Sequence, residues 1–374
     1  MALRCAELYL RPEDEASPAQ PPVTAESLRL DAPMESLLGT LFEHVDVVLA
    51  QCDAVTGATL LRQAKVPLDL VYIDPPYASH RDYLYAQRHP EDGSRVERVA
   101  FRDRWDGGML EYVDSLTPVF EAVHAALSDE GSFLLHVDPR GAPYLSIRCD
   151  ELFGLGERLS AKNAPGFRNE IIWTYGLGGS SPRSWPKKHD NILWYTKGSD
   201  WFFDPPMTPA KSNRMRGQLK KQPDVVEIPS INNMAKDRTG YPTQKPVELL
   251  EMLVKAHTRE RSFVADFFSG SGTTALAAAR NQRHAFASDI ADDAIAVARN
   301  RLLAEGASVA ILRPGKVSGD DAAAPKTLDE TALVFSRLGT VQDRCFLALE
   351  GGEPTHRLVR DVYGHEAIQK LSVV

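Results

Sequence analysis

The chain is predicted to be an α/β protein built on a doubly wound, mostly parallel sheet. Three observations predict this. Apolar runs of four to six residues alternate with stretches of helical spacing, as in strand–helix–strand units. The run LDLVYI (Leu68–Ile73) is apolar nearly throughout, as expected of a strand covered on both faces. The run Ser262–Phe268 leads through Gly270 and Gly272 into an alanine-rich helical stretch, the form of a tight β–α turn.

Taken in order, residues 11–26 are rich in proline and acids and read as part of a partly disordered leader spanning 1–40. Val45–Ala50 is a strand, helical spacing follows over Thr59–Ala64, and Leu68–Ile73 is the central strand. Residues 78–110 show little periodicity and read as a long functional loop or lid. Leu116–Leu127 is an amphipathic helix, Ser132–Val137 a strand and Tyr144–Phe153 a helix. Two strands follow, Glu170–Tyr175 and Asn191–Thr196, with a basic insertion over about 176–240. Regularity returns with a helix at Pro246–His257 and a strand at Ser262–Phe268. A helix at Thr273–Asn281, a strand at His284–Asp289 and a helix at Asp292–Ala304 complete the pattern. No internal repeat is present. A main domain over 41–305, a linker at 306–326 and a small helical module at 327–374 complete the organisation. Within that module Thr355–Tyr363, Gly364 and Glu366–Leu371 have helix-turn-helix spacing, and a helical appendage is the alternative.

With 374 residues the chain can bury a large core, and 43% hydrophobic with 25% charged residues is ordinary for a soluble protein. No apolar run is long enough to span a bilayer and the start lacks signal-peptide character, so a cytoplasmic protein without a membrane partner is expected. The four cysteines have no CxxC spacing, which points away from zinc and disulfides. The formal net charge of −8 argues weakly against nucleic acid, but its distribution does not. Residues 156–221 hold twelve Lys or Arg against five Asp or Glu, a local basic field suited to phosphates. A solvated lysine-rich loop is the competing reading.

Two stretches carry chemistry. In DPPY, Pro75 and Pro76 end the central strand and leave Asp74 at its carboxyl end, where open α/β sheets bind ligands, with the aromatic face of Tyr77 beside it. A capped strand end is the plain alternative. In DFFSGSGTT (Asp266–Thr274) the glycines let backbone approach a ligand and aim helix N-terminal N–H groups at it. The third glycine of the dinucleotide fingerprint is missing, which counts against NAD. Asp289, 17 residues beyond Gly272, ends the next strand where an acid can accept ribose hydroxyls.

DPPY, then YPTQKP (Tyr241–Pro246), then DFFSGSGTT resembles the β-class amino DNA methyltransferases that use S-adenosylmethionine, with the catalytic motif preceding the cofactor motif. FRDRWDGG (Phe101–Gly108), NEIIWTY (Asn169–Tyr175) and KKHDNILWYTKG (Lys187–Gly198) are similar to segments of type III modification subunits and their single-chain relatives. The resemblance covers roughly residues 45–304 and implies a circularly permuted Rossmann-like methyltransferase fold. It implies that Asp74, Pro75, Pro76 and Tyr77 are catalytic. Asp266, Phe268, Gly270, Gly272 and Thr273 would shape the cofactor pocket, Asp289 would bind the ribose, and Asp53 would accept from the adenine amine of the cofactor. Thr243 and Lys245 would lie near the methionine carboxylate. Ala78 departs from the pattern, since many relatives place Asn there.

The chemistry accounts for these residue types. An exocyclic base amine is a poor nucleophile because its lone pair is delocalised into the ring. Asp74 and the Pro75 carbonyl can accept its two N–H groups and free the lone pair for in-line attack on a sulfonium methyl, with no metal or covalent enzyme intermediate. The base must leave the duplex, and Tyr77 offers a stacking face. The resemblance implies adenine N6 as the target, since DPPY is the more usual form in adenine enzymes. The alternatives are cytosine N4, an RNA methyltransferase and a non-catalytic DNA-binding subunit. Double-stranded DNA is the expected partner, contacted by Arg183, Lys187, Lys188, Lys211, Arg214, Arg216, Lys220 and Lys221. A homodimer and a restriction or defence-system partner are left open. His136 and His189 read as structural, and Trp185 is the tryptophan best placed to stack on a base.

Overall fold

The computed structural model describes residues 45–88, 95–176, 182–210, 213–231 and 237–314, with short pieces at 5–12, 28–29, 38–39, 41–43, 346–347, 356–360 and 366–370. In chain order the elements begin β1 (Cys5–Pro12), β2 (Leu28–Arg29), β3 (Val47–Gln51), α1 (Ala54–Gln63), β4 (Leu68–Ile73), β5 (Arg81–Arg88) and β6 (Arg95–Asp103). Next come α2 (Gly108–Ala126), β7 (Leu127–Val137), α3 (Ala142–Phe153), β8 (Gly166–Thr174), β9 (His189–Thr196), β10 (Met207–Pro209), β11 (Leu219–Lys221) and β12 (Val225–Glu227). The main body closes with α4 (Val247–His257), β13 (Phe263–Asp266), α5 (Thr273–Arg280), β14 (His284–Asp289), α6 (Asp292–Ala304) and β15 (Val309–Pro314). Beyond it lie β16 (Phe346–Leu347), β17 (His356–Arg360) and β18 (Glu366–Lys370).

Eleven strands form one sheet in the order β12-β8-β9-β7-β4-β13-β14-β3-β15-β1-β2. The run from β7 to β1 is parallel throughout, while β9 is antiparallel to both β7 and β8. The sheet is thus mostly parallel, as its apolar strands predict. Side chains along β4 alternate between two cores. Val71 and Ile73 join a cluster with residues of α1, α2 and α3, whereas Leu70 and Tyr72 join one with residues of α4, α5 and α6. Helices therefore cover both faces, and each buried Leu, Ile or Val contributes about 1.5–3 kcal/mol.

From β4 the chain winds through α2 to β7 on one side; from β13 it winds through α5 to β14 on the other. β4 and β13 are neighbours, so the winding reverses between them. That is the switch point, where the carboxyl ends of strands leave a crevice. DPPY follows β4 and SGSG follows β13, so the two motifs meet there although about 190 residues separate them in the chain.

Several expectations are corrected. The segment 78–110 is not an irregular lid: β5 and β6 pair as an antiparallel hairpin, and α2 begins at Gly108. Helix α2 runs from Gly108 to Ala126 and so starts well before Leu116, with Pro118 exposed inside it. Part of the leader is structured, since β1 pairs parallel with β15. The linker begins later than residue 306, because β15 pairs with β3 and extends the main sheet. In the C-terminal module the described pieces β16, β17 and β18 are antiparallel strands, not helices; the rest of that module lies outside the described residues. Among the described residues no helix is long and apolar enough to cross a membrane.

Candidate active site

Strand β4 ends at Ile73, and the proline pair turns the chain away from the sheet. Asp74 then sits at the crevice with both carboxylate oxygens engaged. The Tyr77 hydroxyl donates to Oδ1, and Lys245 Nζ donates to Oδ2. Lys245 Nζ also lies 3.1 Å from the Tyr77 hydroxyl and 5.2 Å from its ring centroid. The side chains of this ion pair are only 10% (Lys245) and 16% (Asp74) exposed. Burial, reinforced by the charge of Asp74, pushes the Tyr77 phenol well above its ordinary range, so it stays a donor.

A second carboxylate holds the same segment. Asp103, fully buried at the end of β6, accepts from the backbone N–H groups of Tyr77 (3.2 Å), Ala78 (2.8 Å) and Ser79 (2.7 Å), and from Trp105 Nε1 (3.1 Å). Arg140 Nη2 reaches the Tyr77 carbonyl at 3.5 Å. Ala78 has φ 52° and His80 φ 56°, left-handed values that disfavour any residue with a Cβ other than Asn or Asp.

Behind Tyr77 lies a buried polar chain. Tyr72 OH and His136 Nδ1 are 2.7 Å apart, His136 Nε2 is 3.3 Å from Asp190, and Tyr175 OH donates to Asp190 at 3.4 Å. Burial raises the Tyr72 phenol well above its ordinary value, so it keeps its proton beside His136 Nδ1. Burial works to raise Asp190, but the hydrogen bond and charge of His136, with Lys245, outweigh it and hold Asp190 low. The His136 ring lies 6.2 Å from the Tyr77 ring at 28°, so this structural histidine also forms the backing of the aromatic face.

Next to β4, the ends of β13, β14 and β3 carry three further acids. Asp266 accepts from Phe268 N (3.0 Å) and Thr274 Oγ1 (2.5 Å), and burial pushes its carboxyl up to about 7, helped by the charges of Asp74 and Asp289. Asp289 accepts from Gly270 N (2.9 Å) and Ala291 N (2.9 Å), and burial raises it too. Asp53 caps α1, taking Thr56 N (2.9 Å) and Thr56 Oγ1 (2.6 Å). The expected pocket residues Asp266, Phe268, Gly270 and Asp289 are therefore brought together. At Gly272 a Cβ would lie 2.7 Å from Ala298 Cβ, so this glycine also admits α6. A Cβ at Gly270 would lie 3.0 Å from the Tyr241 ring. Thr273 is buried, accepting from Arg301 Nη1 at 2.8 Å.

The YPTQKP residues divide. Lys245 lies on Asp74, and Thr243 is exposed at a turn with φ 57°. Among the residues expected to meet DNA, Arg183, Lys187, Arg214, Arg216, Lys220 and Lys221 are exposed. Lys188 is half-buried and donates to the Gly176 carbonyl at 3.2 Å, and Lys211 lies outside the described residues. Lys220 and Lys221 lie on the ribbon formed by β10 and β11, with Arg214 and Arg216 in its loop. Trp185 is 94% exposed, whereas Trp173 and Trp194 are core.

Residues 68–300 match the DNA methylase family of N6 and N4 enzymes. The chain belongs to that family. It is 26% identical over 285 residues to the type II methyltransferase M.ScaI of Streptomyces caespitosus, covering 72% of this chain and 85% of that one. It is 23% identical over 268 residues to the DNA adenine methyltransferase YhdJ of Escherichia coli, covering 66% and 81%. Among solved structures, the M1.HpyAVI–SAM complex is similar at 18% identity and a TM-score of 0.47, covering 68% of this chain and 98% of that chain. The expected cofactor, S-adenosylmethionine, goes with that membership. The acids suit its cationic and donor groups, a sulfonium, an ammonium, an amine and two hydroxyls, since this edge presents Asp53, Asp266 and Asp289. The buried hydroxyl of Ser269, beside Gly270, has no hydrogen-bond partner among the described residues.

Proposed function

We propose that this DNA methyltransferase acts on the N6 amine of adenine, on a base turned out of double-stranded DNA. The observation that carries the reading is the placement of Asp74 and Tyr77 at the switch point, beside the acid-lined edge of β13, β14 and β3. S-adenosylmethionine, when bound, supplies an electrophilic methyl group. Asp74 accepts one N–H of the target amine and the Pro75 carbonyl accepts the other, which localises the nitrogen lone pair for attack. Tyr77, backed by His136, stacks on the extruded base. Asp289 takes the ribose hydroxyls on the lone pairs that Gly270 N and Ala291 N leave free, and Asp53 takes the cofactor amine in the same way.

Adenine is supported by DPPY and by the name of the relative YhdJ; cytosine N4 is the second reading, since the family holds both kinds of enzyme. The exposed cations of the β10–β11 ribbon, with Arg183 and Lys187, contact phosphates. The test is incubation with unmodified duplex DNA and labelled cofactor, followed by digestion and mass spectrometry of the nucleosides. N6-methyladenine is the expected product. N4-methylcytosine moves the assignment to the second reading, and an unmodified duplex overturns both.

A further inference from the structure

We infer that Asp103 is a positioning residue: it holds the backbone of Tyr77–Ser79 in a left-handed turn and thereby aims Asp74 and Tyr77 at the target amine. The inference rests on the proposed reading of Asp74 and Tyr77. Its geometric basis is separate from it.

Three consecutive backbone N–H groups converge on one point. Such convergence makes an anion-binding nest, the arrangement in which loops usually receive a phosphate or other ligand. Here the occupant belongs to the protein, being the Asp103 carboxylate carried in by the β5–β6 hairpin. A fully buried carboxylate is strongly unfavourable unless N–H groups compensate it, and this one receives four. The turn it holds is itself unfavourable, because Ala78 has a Cβ at φ 52°. Left-handed turns at non-glycine residues persist where the surroundings enforce them. Asp103 supplies that enforcement from about 25 residues away in sequence, and Arg140 fixes the Tyr77 carbonyl from the other side. With its N–H and its carbonyl both tied, Tyr77 has its ring direction set, and its hydroxyl meets Asp74.

The decisive variant is Asp103→Asn, which keeps the size but points an NH2 at backbone donors. Single-turnover methyl transfer is expected to fall about a hundredfold, the scale of a small misplacement of reacting groups. Cofactor affinity by calorimetry should stay within about twofold, because the β13 and β14 edge is untouched. Amide exchange at Tyr77, Ala78 and Ser79 should accelerate by at least about tenfold as the nest opens. Adding Ala78→Gly to Asp103→Asn should return about fivefold of the lost rate, since glycine adopts the left-handed turn without the Cβ penalty. Wild-type transfer by Asp103→Asn overturns the inference, as does unchanged exchange at the three amides. A parallel loss of rate, cofactor affinity and melting temperature that Ala78→Gly does not relieve overturns it too, by making Asp103 a residue of general stability. If the unaltered chain transfers no methyl group to DNA, the proposed function fails, while the exchange measurement still decides whether Asp103 holds the turn.

Discussion

The carboxyl edge of the sheet and the β10–β11 ribbon treat charge in opposite ways. At the edge, Asp74, Asp103, Asp266 and Asp289 are each buried or half-buried, and each already accepts hydrogen bonds from the protein itself. On the ribbon, Arg214, Arg216, Lys220 and Lys221 stand in solvent. The edge is organised before any ligand arrives, and in a low-dielectric setting its dipoles act at full strength. The ribbon's charges are screened by salt and act only when a polyanion comes close. Geometry is the business of one region and attraction that of the other.

The largest break in this contrast comes from Asp74→Ala. It should lower methyl transfer at least about a hundredfold while leaving cofactor and DNA affinity near normal, because one preorganised acceptor is lost while the acids of β13 and β14 and the ribbon cations stay in place. Tyr77→Phe keeps the stacking ring but removes the hydroxyl on Asp74, so its loss should be smaller than that of Asp74→Ala. If a single-turnover assay finds the two equally inactive, the division between acceptor and stacking face is wrong.

Gly270→Val is next. Its Cβ would press on the Tyr241 ring from a backbone at φ 47°, so the turn that ties Gly270 N to Asp289 should distort. Calorimetry should show at least about a tenfold loss of cofactor affinity, with a matching loss of ribose contact. Near-normal affinity would remove the glycine turn from the pocket.

The ribbon responds differently. Replacing Arg214, Arg216, Lys220 and Lys221 with alanine should weaken DNA binding and flatten its salt dependence by about one unit of slope per lost phosphate contact. The single-turnover rate at saturating DNA should change little by comparison. A slope that stays put would return these residues to a solvated loop.

The mildest expectation concerns stability. Asp266 titrates near 7 when folded, against an ordinary 3.8. Between those values the folded chain holds a proton that the unfolded chain has released, so this group erodes stability as pH rises through the window. The erosion is complete above about pH 7 and is of the order of a few kcal/mol. Asp266→Asn should therefore melt higher than the unaltered chain at pH 8, and the difference should close as pH falls toward 4. Melting curves that differ equally at both pH values would show that Asp266 is already ionised at low pH in the folded chain.

The sheet was legible because β4, β13 and β14 are short, apolar and stopped by proline, glycine or acid, and such runs have few alternatives. Helix α2 was read short because its first turn opens beside Gly107 and Gly108 and leaves Leu110 exposed, which breaks the apolar spacing there. Hairpin β5–β6 escaped because its strands are charged and pack on no sheet that would impose alternation; only the Tyr83–Phe101 stack, 4.6 Å between centroids, marks it in hindsight. Within the site, Asp74, Tyr77, Asp266 and Asp289 were marked by motifs at strand ends. Asp103 was not, because FRDRWDGG also offers Arg102, Arg104 and Asp106 and nothing local distinguishes the one that turns inward. Lys245 on Asp74 is a contact between residues 171 apart, and its pairing depends on the switch-point geometry rather than on YPTQKP itself.

Lys245 and the Tyr77 hydroxyl also determine what the Asp74 contact is worth at each stage of a turnover. An incoming amine shares the Asp74 carboxylate with two donors already in place, so the added contact contributes little to ground-state affinity. As the amine nitrogen becomes positive on attack, its N–H groups become stronger donors than a phenol, and only then does the contact strengthen. The contact is thus expressed in the rate at saturation and hardly at all in the concentration needed to saturate, which is differential binding of the transition state over the substrate.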